Sequence, residues 1–195
     1  MVRFRRSHVA SAAAFLSAVS TATWLNAFAA ASAPSAATPA TVHQHAHVHG
    51  VARLGIAMQD KTLTIQLESP LDSLIGFEHR PSTPAQKTAV TALQAKMKAP
   101  LDLFRFNDAA GCVLTKSEGE SAIFQPPVAG AADEHADLDA SFEFRCDRPD
   151  KLSTLEVGLF TVYPRLKRLD VDVATDKGQF KRDLKSPQRT ISLIR

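Results

Sequence analysis

Strict alternation of apolar and polar residues is the feature that most constrains the fold of this chain. In the stretch 137–146 the apolar residues occupy every second position, at Leu138, Ala140, Phe142, Phe144 and Cys146. Successive side chains of a β-strand point to opposite faces of its sheet. The stretch therefore predicts a strand with one buried and one polar face.

The same alternation recurs along the chain. Val48 and the residues from Ala52 to Met58 predict one strand, and Leu63 to Leu67 predict its hairpin partner across a turn at Asp60-Lys61. Further strands are predicted at Cys112–Leu114, Leu155–Leu159 and Leu169–Val173, with a hairpin turn at Asp176-Lys177-Gly178 and two final strands separated near Pro187.

Helix signals are confined to one part of the chain. Thr83, Pro84 and Gln86 fit an N-cap, a first-turn proline and a capping box. Val90, Leu93 and Met97 then form an apolar stripe that ends before Pro100, and a shorter helix is expected from Leu71 to Phe77. The predicted fold class is α+β, a mainly antiparallel β-sheet with one substantial helix.

The N-terminal region has the pattern of an export signal. Arg3, Arg5 and Arg6 precede a long Ala-rich apolar stretch, and Ala27-Phe28-Ala29 fits a cleavage site. We expect a signal peptide over residues 1–29, with an uncleaved anchor as the alternative. Residues 30–44 are then a flexible Ala/Ser/Pro leader, and residues 45–195 form a single domain. No later segment reaches the roughly 18 apolar residues of a membrane helix, so no membrane association is expected after cleavage.

Removal of the signal changes the charge of the chain. The expected signal holds three of the 23 basic residues and none of the 20 acidic ones, which leaves 20 of each. The mature chain is formally neutral, so its composition does not indicate a nucleic-acid partner.

The two cysteines of the mature chain, Cys112 and Cys146, are expected to form a disulfide in an exported protein, with buried free thiols as the alternative.

A row of histidines is the strongest chemical signal. Four of the seven histidines alternate with other residues, at His43, His45, His47 and His49. On an extended chain these imidazoles share one face, and imidazole is a frequent ligand of Zn²⁺. We expect the row to continue the polar face of the first strand backwards into the leader, which makes His43 the least secure ligand. A solvated polar edge is the alternative.

Two other segments could complete a metal site. Glu78-His79 and the run from Asp133 to Asp137, which includes His135, contain the remaining histidines of the mature chain. Either segment could instead be a solvated loop. We expect His45, His47 and His49 as principal ligands, His79 and His135 as the next, and Glu78 and Asp137 as supporting groups. Six histidines with carboxylates suit Zn²⁺, Cu²⁺ or Ni²⁺, whereas few methionines argue against a Cu⁺ carrier.

Motifs of other chemistries are lacking in the sequence. It contains no phosphate-binding Gly-rich loop, no GxSxG elbow and no HExxH pair. A zinc-dependent hydrolytic enzyme remains one alternative, since three histidines with an open position can activate water. A structural module with incidental metal binding is another. We expect a binding protein rather than an enzyme, because no general base stands out.

Several short motifs, in order along the chain, resemble the ZrgA-type zinc-uptake proteins of Gram-negative bacteria. The two most specific are the histidine motif His45–Gly50 and Gly76-Phe77-Glu78-His79. The others are Leu67–Pro70, Pro81–Thr83, Ala110–Cys112, His135–Asp137 and Phe142–Cys146.

The resemblance implies a periplasmic protein that binds Zn²⁺ and assists its uptake, feeding or buffering for an inner-membrane zinc transporter or its binding protein. Members often carry a long loop rich in His, Asp and Glu before the strand of the second cysteine. Here the stretch from Gln125 to Asp137 is short and retains only His135. This departure argues against a high-capacity zinc store and favours one or two ions per chain.

Overall fold

The computed structural model describes residues 48–126 and 136–194. The expected signal and leader, together with His43, His45, His47 and His135, lie outside the described residues. Two β-sheets and three α-helices account for most of the described chain. The fold is α+β, as the alternation predicts.

The larger sheet has six strands in the order β4-β5-β2-β1-β7-β8. Their bounds are β1 Val51–Gln59, β2 Thr62–Pro70, β4 Cys112–Glu120, β5 Asp137–Cys146, β7 Arg168–Thr175 and β8 Gly178–Lys185. Every neighbouring pair is antiparallel except β1 and β7, which run parallel. The β1–β2 hairpin turns at Asp60-Lys61 as predicted, and Asp60 has a φ of 54° there.

The smaller sheet has three antiparallel strands in the order β3-β6-β9. They are β3 Phe104–Phe106, β6 Thr154–Val157 and β9 Thr190–Ser192. The two final strands predicted from the sequence, β8 and β9, both form, but they belong to different sheets.

One face of the larger sheet builds the core. The alternating apolar residues of β5, from Leu138 to Cys146, are all buried. So are Leu63, Ile65 and Leu67 of β2 and Leu169, Val171 and Val173 of β7. Phe104 of the smaller sheet lies 5.1 Å from Phe142, centroid to centroid, and Phe106 lies 4.7 Å from Phe144. The smaller sheet is thus joined to the buried face of the larger one by aromatic contacts.

The helices are α1 Leu71–Ile75, α2 Pro84–Lys98 and α3 Leu159–Val162. Helix α2 begins with the predicted capping box of Thr83 and Gln86, and Val90, Leu93 and Met97 are its buried residues. Among the helices of the described residues, none has the length and apolar character that crossing a membrane requires.

Cys112 and Cys146 form a disulfide with a 2.03 Å Sγ–Sγ bond, and they pair directly across β4 and β5. The pairing predicted from the sequence is confirmed. The alternative of free thiols is wrong, since neither cysteine is free.

Three local predictions are wrong. Leu159 begins helix α3 instead of extending β6, because the adjacent Leu159 and Phe160 are both buried, and a strand would point them to opposite faces. Val48 is 53 % exposed and does not join the buried stripe. The row of histidines does not continue β1 at His49, because His49 and Gly50 form a turn before the strand starts.

Candidate metal centre

The turn that carries His49 is fixed by hydrogen bonds from the Gly50 backbone to two distant parts of the chain. Gly50 has a φ of 80°, a left-handed conformation that favours glycine. Its N–H donates to Ser73 Oγ of α1 at 2.8 Å. Its carbonyl accepts from the N–H groups of Lys167 and Arg168, at 2.7 and 3.0 Å. The backbone beside His49 is therefore held by α1 on one side and by the start of β7 on the other.

The imidazole of His49 lies between two carboxylates. Its Nε2 is 2.9 Å from Glu78 Oε1, and its Nδ1 is 3.7 Å from Asp72 Oδ2. Glu78 is only 8 % exposed, whereas the side chain of His49 is 58 % exposed. A largely buried carboxylate thus faces a nitrogen of a largely exposed side chain, and an imidazole nitrogen with a carboxylate oxygen is a donor pair suited to a divalent cation.

Arg165 holds Asp72 in this arrangement. Its Nη2 donates to both carboxylate oxygens of Asp72, at 3.0 and 3.2 Å, and its Nε donates to the Asp72 carbonyl at 2.9 Å. The contact joins residues that are 93 positions apart in sequence. A guanidinium that engages one residue at three points restricts its side-chain rotation strongly.

The residue that follows His135, Ala136, is hydrogen-bonded to the backbone of Glu78 and of α1. The N–H of Ala136 donates to the Glu78 carbonyl at 3.1 Å, and the Ala136 carbonyl accepts from Leu71 N–H at 3.1 Å. The structure therefore brings His49, Glu78 and residue 136 together, although they come from the three separate segments in which the sequence predicts ligands.

The contacts of His79 are with Arg80, Gln86 and Phe77. Its Nδ1 lies 2.9 Å from the Arg80 carbonyl and its Nε2 lies 3.5 Å from Gln86 Nε2, at the N-terminus of α2. Its ring lies 5.3 Å from that of Phe77. The contacts of His79 thus connect it to the capping box of α2.

Asp137 begins β5 beside Pro70 and is half-buried. It belongs to a group of acids on the polar face of the larger sheet, where Asp139 pairs with Glu68 on one side and Glu120 on the other. Burial, reinforced by the charges of Glu68, Asp137 and Glu120, raises the pKa of Asp139 above its ordinary value.

Over residues 48–126 and 136–194, no three His, Cys, Asp or Glu side chains are arranged so that they could hold a metal ion. His49 and Glu78 therefore form part of a site at most within this portion of the chain. Four further predicted ligands, His43, His45, His47 and His135, lie outside it.

Sequence reasoning missed Asp72, Ser73 and Arg165. An acidic residue in the first turn of a helix is common and gives no hint of a site. Arg165 lies in an unremarkable loop far along the chain, and no local pattern links it to Asp72. Only the tertiary fold brings these residues beside His49.

The described chain thus defines a mainly antiparallel α+β protein with an imidazole–carboxylate pair at one end of its larger sheet. Residues 46–193 match the family model of the ZrgA family zinc uptake proteins. This match covers most of the sequence, and the chain belongs to that family. It is a family of zinc uptake proteins rather than of enzymes. No curated protein matches the chain at a significant level.

Proposed function

We propose that this protein captures Zn²⁺ in the periplasm and delivers or buffers it for an inner-membrane zinc transporter or its binding protein. The zinc ion is its cargo, bound by the histidine motif together with Glu78. The observation that carries this proposal is the 2.9 Å approach of His49 Nε2 to the largely buried Glu78 carboxylate, in a chain of the zinc uptake family.

The separation of the two groups supports this role. Two ligand atoms on one tetrahedral Zn²⁺, each about 2.0–2.2 Å from the ion, lie about 3.3–3.6 Å apart. The nitrogen and oxygen of His49 and Glu78 are 2.9 Å apart, so a few tenths of an ångström would open the pair to receive the ion. Burial of Glu78 also lowers the local dielectric and strengthens its attraction for a cation.

The remaining ligands are proposed from the neighbouring segments. His47 and His45 precede His49 by two and four residues, and His135 precedes Ala136, which is hydrogen-bonded to Glu78. We assign these three histidines as candidates for the other positions. His43, His79 and Asp137 are secondary candidates, and the engagement of His79 with Arg80 and Gln86 makes it a weaker one.

The proposed location agrees with the chemistry of the chain. Disulfides persist in oxidising compartments such as the periplasm, and this protein contains one between Cys112 and Cys146. We propose that residues 1–29 direct export and are cleaved, that 30–44 serve as a leader and that 45–195 are the zinc-binding domain. The short stretch between Gln125 and Asp137 supports a capacity of one or two ions.

Zinc titration of protein purified untagged from the periplasm tests the proposal. We expect one or two equivalents of Zn²⁺ to bind, and more weakly as the pH falls below about 6.5, because imidazoles must be neutral to bind metal. Calorimetry and native mass spectrometry give affinity and stoichiometry. Parallel titrations with Cu²⁺ and Ni²⁺ test the choice of metal.

Variants test the assigned ligands. We expect the triple variant His45→Ala, His47→Ala, His49→Ala to lose most of the zinc affinity, and Glu78→Gln to weaken it. Asp172→Ala is the matched control for Glu78→Gln, since Asp172 is an exposed carboxylate paired with Lys181. Unchanged affinity in the triple variant, or binding no tighter than micromolar in the wild type, would contradict the proposal.

A further inference from the structure

The two nitrogens of His49 face different carboxylates, and only one nitrogen of a neutral imidazole is available to a metal while the other carries the proton. Nε2 lies 2.9 Å from Glu78 Oε1, and Nδ1 lies 3.7 Å from Asp72 Oδ2. One carboxylate therefore acts as a ligand and the other orients the ring. The nitrogen that binds the ion is the one that faces the carboxylate ligand.

Asp72 is poorly suited to act as the ligand. Both of its carboxylate oxygens accept hydrogen bonds from Arg165 Nη2, at 3.0 and 3.2 Å. An incoming cation would have to compete with the positively charged guanidinium for the same oxygens. Asp72 is suited instead to accept a hydrogen bond from Nδ1–H, which a small rotation of the His49 ring would bring within range.

Arg165 contacts the supports of both Asp72 and His49. Its guanidinium packs over Gly76, the left-handed residue that ends α1, where an added Cβ would lie 3.5 Å from Arg165 Nε. Its own carbonyl lies 3.4 Å from the Cβ position of Gly50. Ser73, the residue after Asp72, accepts the hydrogen bond from Gly50 N–H. One arginine thus joins the helix that carries Asp72 to the turn that carries His49.

We propose that Asp72 is a positioning residue that orients His49 so that Nε2 binds Zn²⁺ beside Glu78, and that Arg165 positions Asp72. The inference rests on the proposed function and adds to it a defined binding nitrogen and two residues that do not touch the ion. Carboxylates that hydrogen-bond the second nitrogen of a ligating histidine fix the orientation of the ring and raise its basicity.

The binding nitrogen can be observed directly in the wild-type protein. Nitrogen-15 NMR of the full chain, labelled at histidine and loaded with Zn²⁺, distinguishes a protonated from a metal-bound ring nitrogen. With His49→Ala used for assignment, we expect His49 to show a protonated Nδ1 and a metal-bound Nε2. A metal-bound Nδ1 would overturn the inference whether or not any variant folds.

Substitutions test the two positioning residues. We expect Asp72→Ala to weaken zinc binding by about 10- to 100-fold, as for other partners of ligating histidines. Asp72→Asn keeps an oxygen acceptor for Nδ1–H, and part of the affinity should return. Arg165→Ala should weaken binding in the same direction as Asp72→Ala. Asp172→Ala, which removes a carboxylate ion-paired at 2.9 Å with Lys181, is the control and should bind as the wild type does.

The two hypotheses fail in different ways. If the proposed function is wrong, the wild type lacks tight zinc binding or His49→Ala leaves it unchanged. If only the present inference is wrong, His49→Ala weakens binding while Asp72→Ala has the affinity of the wild type. Thermal unfolding in EDTA, carried out on each variant, separates a loss of affinity from a loss of fold.

Discussion

At the scale of single residues, Asp139 gives the fold a distinctive response to pH. Its pKa is raised above the ordinary 3.8 by burial and then by the charges of Glu68, Asp137 and Glu120. The folded protein therefore holds this proton more tightly than the unfolded chain does. It follows that the charged form of Asp139 destabilises the fold, and that its contribution to stability falls as the pH rises through the window above 3.8.

Asp139→Asn should therefore raise the melting temperature at pH 7. The gain should stay below about 1 kcal/mol, because the neighbouring residues desolvate the carboxylate only in part and solvent still screens its charge. It should shrink towards zero as the pH falls to the point where Asp139 is protonated in both states. Thermal unfolding in EDTA at several pH values measures this. Asp172→Asn, which removes a carboxylate paired with Lys181, is the control and should give no gain. A gain that does not depend on pH would contradict the electrostatic explanation.

Gly158 is required for steric reasons rather than for its backbone conformation. A Cβ at this position would overlap the Asp102 carbonyl oxygen, although φ is an ordinary −87°. Gly158→Ala should cost at least about 2 kcal/mol of unfolding free energy, since backbone must move to relieve the overlap. Gly55→Ala is the control, because its Cβ would meet nothing closer than 3.7 Å. Equal stability of the two variants in urea would refute this explanation.

At the scale of elements, the start of α2 depends on its capping box. Thr83 Oγ1 accepts from Gln86 N–H at 3.2 Å, and Gln86 Oε1 accepts from Thr83 N–H at 3.1 Å. Thr83→Ala should lower stability by about 1 kcal/mol, as for other N-cap threonines. Denaturant unfolding measures the change.

Thr91→Ala is the matched control within the same helix. The Thr91 hydroxyl donates to the Lys87 carbonyl of the preceding turn, and alanine is the better helix former. The control should be neutral or slightly stabilising. A loss as large as that of Thr83→Ala would mean that the cap is not the source of the effect.

The elements were predictable where periodicity is long and one face is buried. The alternation in 137–146 predicts β5, and the spacing of Val90, Leu93 and Met97 predicts α2. Strand β3 has three residues, too few for alternation to show. Strands were predicted at β6 and β9, but nothing in the sequence indicates that they pair with each other and with β3 in a second sheet. Helix α3 was mistaken for strand because Leu155, Val157 and Leu159 continue a period of two.

At the scale of the whole molecule, the disulfide constrains the unfolded chain most. It closes a loop with a sequence separation of 34 residues, for which the chain-entropy model gives roughly 3–4 kcal/mol. The double variant Cys112→Ala, Cys146→Ala should lose about that much stability in urea. A reductant should destabilise the wild type but not the double variant. Unchanged stability of the double variant would show that the bond contributes little.

The candidate site was predictable only in its local parts. Alternating histidines and the Glu78-His79 motif indicate metal chemistry from sequence, and His49 and Glu78 do meet in the structure. The parts contributed by long-range contacts could not be predicted, because Asp72 and Arg165 are 93 positions apart and neither has a distinctive neighbourhood in the sequence. A sequence pattern can identify donors, but their orientation depends on the tertiary structure.

The anchoring of the His49 turn also determines when it can form. The N-terminal part of a chain is made first, so the row of histidines is complete long before Arg165 and Lys167 are added. The hydrogen bonds to the Gly50 carbonyl come from Lys167 and Arg168, and Asp72 is held by Arg165. Until this late part of the chain is present, His49 lacks the contacts that position its turn. Assembly of the His49–Glu78 pair is therefore a late event, completed only when nearly the whole chain is available to fold.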